Sequence, residues 1–113
     1  MVSNIKLIIM NIFETLNHLK TLVNIHKEAG IDATVITDVT LNGKDARFWI
    51  NTEDNITFEI GNGIKQMYEV SEYSENCVYL NGWDERLKRT SMIVITNSEI
   101  ECKGTVRIEQ HQG

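Results

Sequence analysis

The first regular pattern along the chain is an apolar repeat with helical spacing. Apolar side chains recur three or four positions apart, at Ile12, Leu16, Leu19 and Val23. This spacing places them on one face of an α-helix. Asn11 and Glu14 match the capping box that starts a helix, and Gly30 stands where a helix commonly ends. The pattern predicts an amphipathic helix from Ile12 to Ala29.

Beyond this helix the apolar residues alternate with polar ones, which is typical of half-buried β-strands. Phe48 alternates with Arg47 and Trp49, so we expect the latter two on the sheet face opposite Phe48. Asn42-Gly43 is a favoured two-residue hairpin turn. The predicted strands are Ala33–Leu41, Ala46–Asn51, Ile56–Ile60, Ile64–Tyr73 and Cys77–Leu80. Two or three further strands are expected over Met92–Thr96, Glu99–Lys103 and Thr105–Glu109, around Asn97-Ser98 and Gly104.

These elements predict an α+β fold. One long N-terminal amphipathic helix is expected to pack on a curved antiparallel β-sheet, a meander of about five to seven strands. Residues 1–113 are expected to form one domain, since chains of this length usually do. Residues 1–10 are interpreted either as an extension or as an edge strand. Met10 followed by Asn11 also resembles a natural start of translation.

Composition narrows the function classes. The net charge of −5 and the pI near 5.1 argue against a general nucleic-acid binder, which needs clustered Lys and Arg. No apolar run has the length of about 20 residues that a membrane span requires. The start lacks a secretory signal pattern, so we expect a cytoplasmic protein. Abundant Ile and Asn without proline are typical of an AT-rich genome, bacterial or phage.

No catalytic or metal-binding motif is present. Cys77 and Cys102 lie in no zinc-ligand spacing and are expected to be reduced thiols. His18 and His26 are two helical turns apart, too far for one metal ion. Nucleophile elbows and phosphate-binding glycine loops are absent. We therefore expect neither an enzyme nor a cofactor.

The negative charge is concentrated in one part of the chain. Residues 28–76 hold ten acids against three basic residues, a local charge of −7. One interpretation is a solvated surface that keeps the protein soluble. The other is a negative surface that attracts a basic partner. The acids proposed as contacts are Glu53, Asp54, Glu59, Glu69, Glu72 and Glu75.

The segment 81–90 is the second candidate for a contact. It is interpreted as a loop too long for a tight hairpin, and long loops are often functional. Trp and Arg are enriched at binding hot spots. The alternative is one helical turn with internal ion pairs. The residues proposed as contacts here are Trp83, Asp84, Glu85, Arg86 and Arg89.

Trp49 is the third candidate. A tryptophan on the outer side of a sheet suggests an interface, and a homodimer would provide one. The alternative is a ring sheltered by neighbouring long side chains.

Three functions follow from these observations. The first is a small acidic binding protein that inhibits or neutralises another macromolecule, as toxin-immunity proteins and phage-encoded inhibitors of host nucleases do. Its partner is expected to be a protein, such as a basic nucleic-acid-binding protein. The second is a domain that binds a phosphorylated ligand or nucleotide through arginines such as Arg47, Arg86, Arg89 and Arg107. The third is a homo-oligomeric structural subunit.

Overall fold

The computed structural model describes residues 10–53, 55–61, 66–84 and 88–111, without the side chain of Asp84. It contains one helix followed by seven strands. Their bounds are α1 (Ile12–Glu28), β1 (Asp32–Leu41), β2 (Lys44–Asn51), β3 (Ile56–Ile60), β4 (Gln66–Tyr73), β5 (Cys77–Asp84), β6 (Arg89–Thr96) and β7 (Ile100–His111). The predicted α+β class is confirmed.

The start of α1 is the predicted capping box. The side chain of Asn11 accepts a hydrogen bond from the Glu14 N–H at 2.8 Å, and the Glu14 carboxylate accepts one from the Asn11 N–H at 3.4 Å. These bonds satisfy two backbone donors that a helix start leaves without intrahelical partners. At the other end, Gly30 adopts a φ of +71°, a conformation that glycine adopts without steric cost. The helix ends at Glu28, one residue before the predicted end.

All seven strands form one antiparallel sheet in the order β6-β5-β4-β3-β2-β1-β7. Strands β1 to β6 form the predicted meander, each paired with the next. The predicted Asn42-Gly43 turn joins β1 to β2, with φ angles of +50° and +81°. These left-handed angles give the turn a twist that matches the strands.

The last strand does not continue the meander. β7 pairs with β1, although β6, which precedes it in sequence, lies at the far edge of the sheet. Only residues 97–99 separate β6 from β7. The sheet therefore curls until its two edge strands meet at this turn, which we call the Asn97 corner. The sheet is curved but not closed.

The Asn97 corner also holds the start of the helix. The Asn97 side chain accepts a hydrogen bond from the Ile12 N–H at 3.2 Å and donates one to the Glu75 carbonyl. The Glu99 carbonyl accepts one from the Asn42 N–H at 2.7 Å. One turn thus links α1 with the β4–β5 and β1–β2 turns.

The core lies between α1 and the concave face of the sheet, which we call the inner face. The predicted helix positions Ile12, Leu16, Leu19 and Val23 are fully buried. Phe48 and Phe58 pack with ring centroids 4.7 Å apart. Tyr73 fixes one flank of the helix, because its hydroxyl donates to Asn17 at 2.6 Å and Lys20 lies over its ring. The other inner-face residues of the core are Val35, Val39, Ala46, Ile50, Ile56, Val78, Leu80, Ile95, Ile100 and Cys102.

One expectation about the C-terminal half is wrong, and one open alternative is decided. The two ends of segment 81–90 are strands, not a loop or a helical turn, because β5 extends to Asp84 and pairs residue by residue with β6 down to Arg89. Of the two or three strands expected after Met92, the structure has two, because Gly104 does not divide the last one. Gly104 has a φ of +74° and lies in a bulge opposite β1, and β7 continues through it to His111. Both strands continue through a glycine that is typical of turns, Gly82 in β5 and Gly104 in β7, because cross-strand hydrogen bonds are maintained on either side of it.

Candidate functional site

The convex face of the sheet, which we call the outer face, carries the candidate contacts. Arg47 and Trp49 lie on it, opposite the buried Phe48, as the alternation predicts. The register connects Trp49 with Thr57, Glu69, Asn81 and Met92 in one row across five strands. The helix covers none of this face, since it packs on the inner one.

An exposed apolar patch lies on the outer face of β5 and β6. Trp83 is 59% exposed and Met92 is 67% exposed. Tyr79 stands opposite Val94 in the register, and Trp83 stands one pair beyond Met92 on the same face. Met67 of β4 adds a further side chain that is 59% exposed. We call these five residues the Trp83 patch.

Acidic residues border the Trp83 patch on its β4 side. Glu69 stands opposite Asn81, and Glu72 stands opposite Tyr79; both carboxylates are exposed. The neighbouring Cys77 raises the pKa of Tyr79 by hydrogen bonding and by charge, with smaller contributions from desolvation and from Glu72. Since tyrosine is neutral at physiological pH even at its ordinary pKa of about 10, the Tyr79 hydroxyl carries no charge. The patch thus combines exposed apolar side chains with a negative border.

The other half of the outer face is occupied by internal contacts. Trp49 is half-buried between its cross-strand neighbours Ile36 and Thr57. Glu59 is only 9% exposed and lies 3.7 Å from Arg47. On β1 and β7, Asp38 lies 3.3 Å from Arg107. Trp49 and Glu59 therefore present less surface to a partner than Trp83 does.

The remaining candidate residues are dispersed. Glu53 and Glu75 are exposed in the β2–β3 and β4–β5 turns. Arg89 is exposed at the start of β6, opposite the Asp84 backbone. Asp54, Glu85, Arg86 and the Asp84 side chain lie outside the described residues.

Of the arginines named for a phosphorylated ligand, the three that the structure describes do not converge. Arg47 and Arg107 each lie beside a carboxylate, and Arg89 is four or more strands away on β6. A polar cavity of about 400 Å³ lies between α1 and β4, lined by Lys20, Asn55, Ser71 and Glu72 among others. Its one lysine already lies over the Tyr73 ring at 4.9 Å from the ring centroid.

Within the described ranges there is no group of three metal-ligating side chains. Cys77 and Cys102 are free thiols, as expected. The His26 ring is bonded to the Leu22 carbonyl at 2.8 Å. In the same part of the chain, no helix has both the length and the apolar content to cross a membrane.

Four of the five patch residues, namely Met67, Tyr79, Met92 and Val94, were not among the contacts predicted from the sequence. The signal for the last two was the alternation of Thr90, Met92 and Val94 with Ile93 and Ile95, which places them on the face opposite the core positions. Met67 and Tyr79 join them only through the strand register.

No family model, curated protein or solved structure matches this chain.

Proposed function

We propose that this chain is a small acidic binding protein that inhibits or neutralises a basic protein, such as a nucleic-acid-binding protein. The Trp83 patch is the contact, and Glu69 and Glu72 at its border attract the partner's basic side chains. The proposal assigns no catalytic step to the chain itself. It fits the kind of inhibitor that phages and bacteria encode against nucleases.

The observation that carries the proposal is the exposure of the Trp83 patch. Isolated apolar residues are ordinary on a protein surface, whereas a contiguous exposed cluster with a polar border is typical of a protein interface. Trp83 has the largest apolar ring of the cluster and is 59% exposed, and tryptophan is among the residue types enriched at hot spots. The negative charge of residues 28–76 provides long-range attraction that accelerates association with a basic surface.

The experiment compares three forms of the tagged chain: wild type, Trp83→Ala and Ile108→Ala. Ile108 is the matched control, because it is an exposed apolar residue on β7, outside the patch. Each form is used to capture proteins from a bacterial lysate at about 50 mM and about 500 mM salt, since salt screens exposed charges. The captured protein is then purified and its affinity is measured by calorimetry.

The proposal expects one basic protein that wild type and Ile108→Ala retain at low salt and release at high salt. Trp83→Ala weakens its binding by about 30-fold or more, as expected of a hot spot. Folding is monitored by circular dichroism, because the exposed Trp83 ring contributes little to the core. Equal binding by Trp83→Ala and wild type, or the absence of any basic protein, contradicts the proposal.

A further inference from the structure

The edge strand β6 presents unpaired backbone groups. It pairs with β5 on one side only, and no strand of the described residues pairs with its other side. An uncovered edge of this kind is a template for another strand, unless charge, proline or a bulge protects it.

The hydrogen bonds at the Asn97 corner show which residues of β6 face the free edge. The N–H and C=O of Cys77 both bond to Ser74, away from β6. Its partner in the register, Thr96, bonds through both backbone groups to Glu99. The backbones of Cys77 and Thr96 therefore stand opposite each other without hydrogen-bonding to each other. Since such pairs alternate along an antiparallel ladder, the N–H and C=O of Thr90, Met92 and Val94 also point to the free edge.

The two edges of the sheet differ in protection. Strand β7 carries exposed charges along its length, from Glu101 to Glu109, and a bulge at Gly104. Strand β6 has no charged residue, proline or bulge from Thr90 to Thr96. Natural proteins use charged side chains and bulges, like those of β7, to prevent an edge strand from pairing with another chain. The bare edge of β6 is therefore suited to pairing.

We propose that β6 pairs with β6 of a second copy of this chain, antiparallel and across a two-fold axis at Met92. A two-fold axis perpendicular to the sheet keeps the outer face of one copy beside the outer face of the other. Centring it on Met92 sets Met92 opposite its own symmetry mate and Thr90 opposite Val94. This register uses every free edge group of these three residues, in six N–H···O=C bonds, and leaves Thr96 with Glu99.

Charge favours a second copy as the occupant. Because each molecule has a net charge of −5, two copies can associate only through a contact that keeps their acidic surfaces apart or pairs them with basic residues. In the Met92-centred pairing, Arg89 of each copy lies opposite Ile95 of the other. The Glu99 carboxylate, which accepts a hydrogen bond from the N–H of the adjacent Thr96, lies at the same end of the contact. The ends of the contact are thus oppositely charged, and its centre is uncharged.

This pairing goes beyond the proposed function and does not rest on it. The backbone edge of β6 forms the dimer, whereas the side chains of the outer face form the Trp83 patch. The dimer brings two patches together on one continuous surface, because Met92 and Val94 of both copies flank the axis. A partner that binds both patches gains avidity.

The first test combines sedimentation equilibrium with amide hydrogen exchange by NMR on the full chain, from about 10 μM to about 1 mM. The proposal expects a monomer–dimer equilibrium. With rising concentration, exchange slows at the amides of Thr90, Met92 and Val94. The amides of Ile93 and Ile95 point to β5 and exchange slowly at every concentration.

The second test compares Met92→Pro with Met92→Ala. Both variants lose the methionine side chain, but only proline removes the edge-facing N–H, which no strand of the described residues pairs with in a single copy. Proline is tolerated on an edge strand at such a position. Met92→Pro is expected to raise the dimer dissociation constant about 30-fold above that of Met92→Ala, since two symmetric hydrogen bonds are lost. Should Met92→Pro fail to fold, the exchange measurement on wild type still decides.

A charge variant tests the register. Arg89→Glu is expected to weaken the dimer about tenfold through its two symmetric contacts. Lys44→Glu, in the β1–β2 hairpin, changes the net charge equally and is expected to leave the dimer unchanged.

Four results overturn the proposal. They are a monomer at every concentration, a dimer whose Thr90, Met92 and Val94 amides still exchange fast, equal dissociation constants for Met92→Pro and Met92→Ala, and slow exchange of the three amides independent of concentration. In the last case a variant lacking residues 1–9 shows whether that segment covers the edge. Trp83→Ala separates this proposal from the proposed function, because it is expected to weaken partner binding about 30-fold or more and to leave the dimer unchanged.

Discussion

The ring of Tyr68 lies against the Cα of Gly82, so closely that an added Cβ would come within 2.4 Å of Tyr68 Cδ1. The two residues face each other on the inner face, on adjacent strands β4 and β5. Gly82 is therefore buried beneath the Tyr68 ring, which packs directly on its backbone. In the sequence, Asn81-Gly82 looks like a turn.

Gly82→Ala is expected to lower the free energy of unfolding by about 2 kcal/mol, because the Tyr68 ring has to move from its packed position. Urea denaturation measures the change. Gly61→Ala is the matched control: no atom lies within 4 Å of its added Cβ, so a change within about 0.5 kcal/mol is expected. If crowding of the Tyr68 ring causes this loss, Tyr68→Ala lowers the free energy of unfolding less in the Gly82→Ala background than in wild type. Additive effects of the two substitutions would contradict this explanation.

Asn97→Ala removes the side chain that connects the helix start to the sheet. It leaves the Ile12 N–H and the Glu75 carbonyl without their partner, so a loss of about 1–2 kcal/mol is expected. Thermal unfolding followed by circular dichroism measures it. Asn24→Ala, an exposed substitution on the same helix, should change stability by less than about 0.5 kcal/mol. Equal effects at both positions would show that the corner does not hold the helix.

Thr15→Val is expected to stabilise the protein by up to about 1 kcal/mol. The Thr15 hydroxyl is buried and its only neighbour for hydrogen bonding among the described residues is the weakly polar thiol of Cys102. Valine has nearly the same shape and no polar group to leave unsatisfied. Thr21→Val is the comparison, since that exposed hydroxyl bonds to the Asn17 carbonyl at 3.0 Å. Chemical denaturation should give a higher free energy of unfolding for Thr15→Val than for wild type, and an equal or lower one for Thr21→Val.

The two thiols are expected to react at different rates. Burial raises the pKa of Cys102, and the contact with Thr15 offsets this only in part. Cys77 is half-buried on β5. A disulfide reagent at about pH 8 should modify Cys77 first and Cys102 only on unfolding, because the thiolate is the reactive form. Cys77→Ser and Cys102→Ser assign the fast and slow phases, and a fast Cys102 would contradict the buried position.

Burial of Cys102 also sets a pH dependence of stability. Its folded-state pKa lies above the unfolded value, so the unfolded chain releases this proton first as pH rises. The contribution of Cys102 to stability is therefore complete below the ordinary thiol pKa of about 8.5 and is lost above it. Urea midpoints from about pH 7 to about pH 10 should fall more steeply for wild type than for Cys102→Ala.

Much of the fold could be predicted from the sequence because its signals are local. The capping box, the helical spacing and the Asn42-Gly43 turn each act within a few residues, and all three are confirmed. The wrong prediction of a loop at 81–90 and the alternative left open at Gly104 both concern positions where contacts with distant strands determine the structure. Both Gly82 and Gly104 are of a residue type that often ends strands. In the fold, Gly82 packs against Tyr68, and the strand around Gly104 pairs with β1.

The candidate site was predictable only in part for a similar reason. The outward position of Trp49 follows from alternation, whereas its partial burial depends on Ile36 and Thr57 from neighbouring strands. Glu59 looks like a free surface acid in sequence and lies against Arg47 in the fold. The Trp83 patch requires the register of three strands, which no local pattern specifies.

The pairing of β7 with β1 has a consequence for biosynthesis. Residues 32–41 are synthesised before residues 100–111, which form their second neighbour in the sheet. Until that strand emerges, β1 is itself an open edge. Pairing across so long a stretch of sequence is slow. The nascent chain is therefore expected to present the edge of β1 to other chains until residues 100–111 have been synthesised and have paired with it.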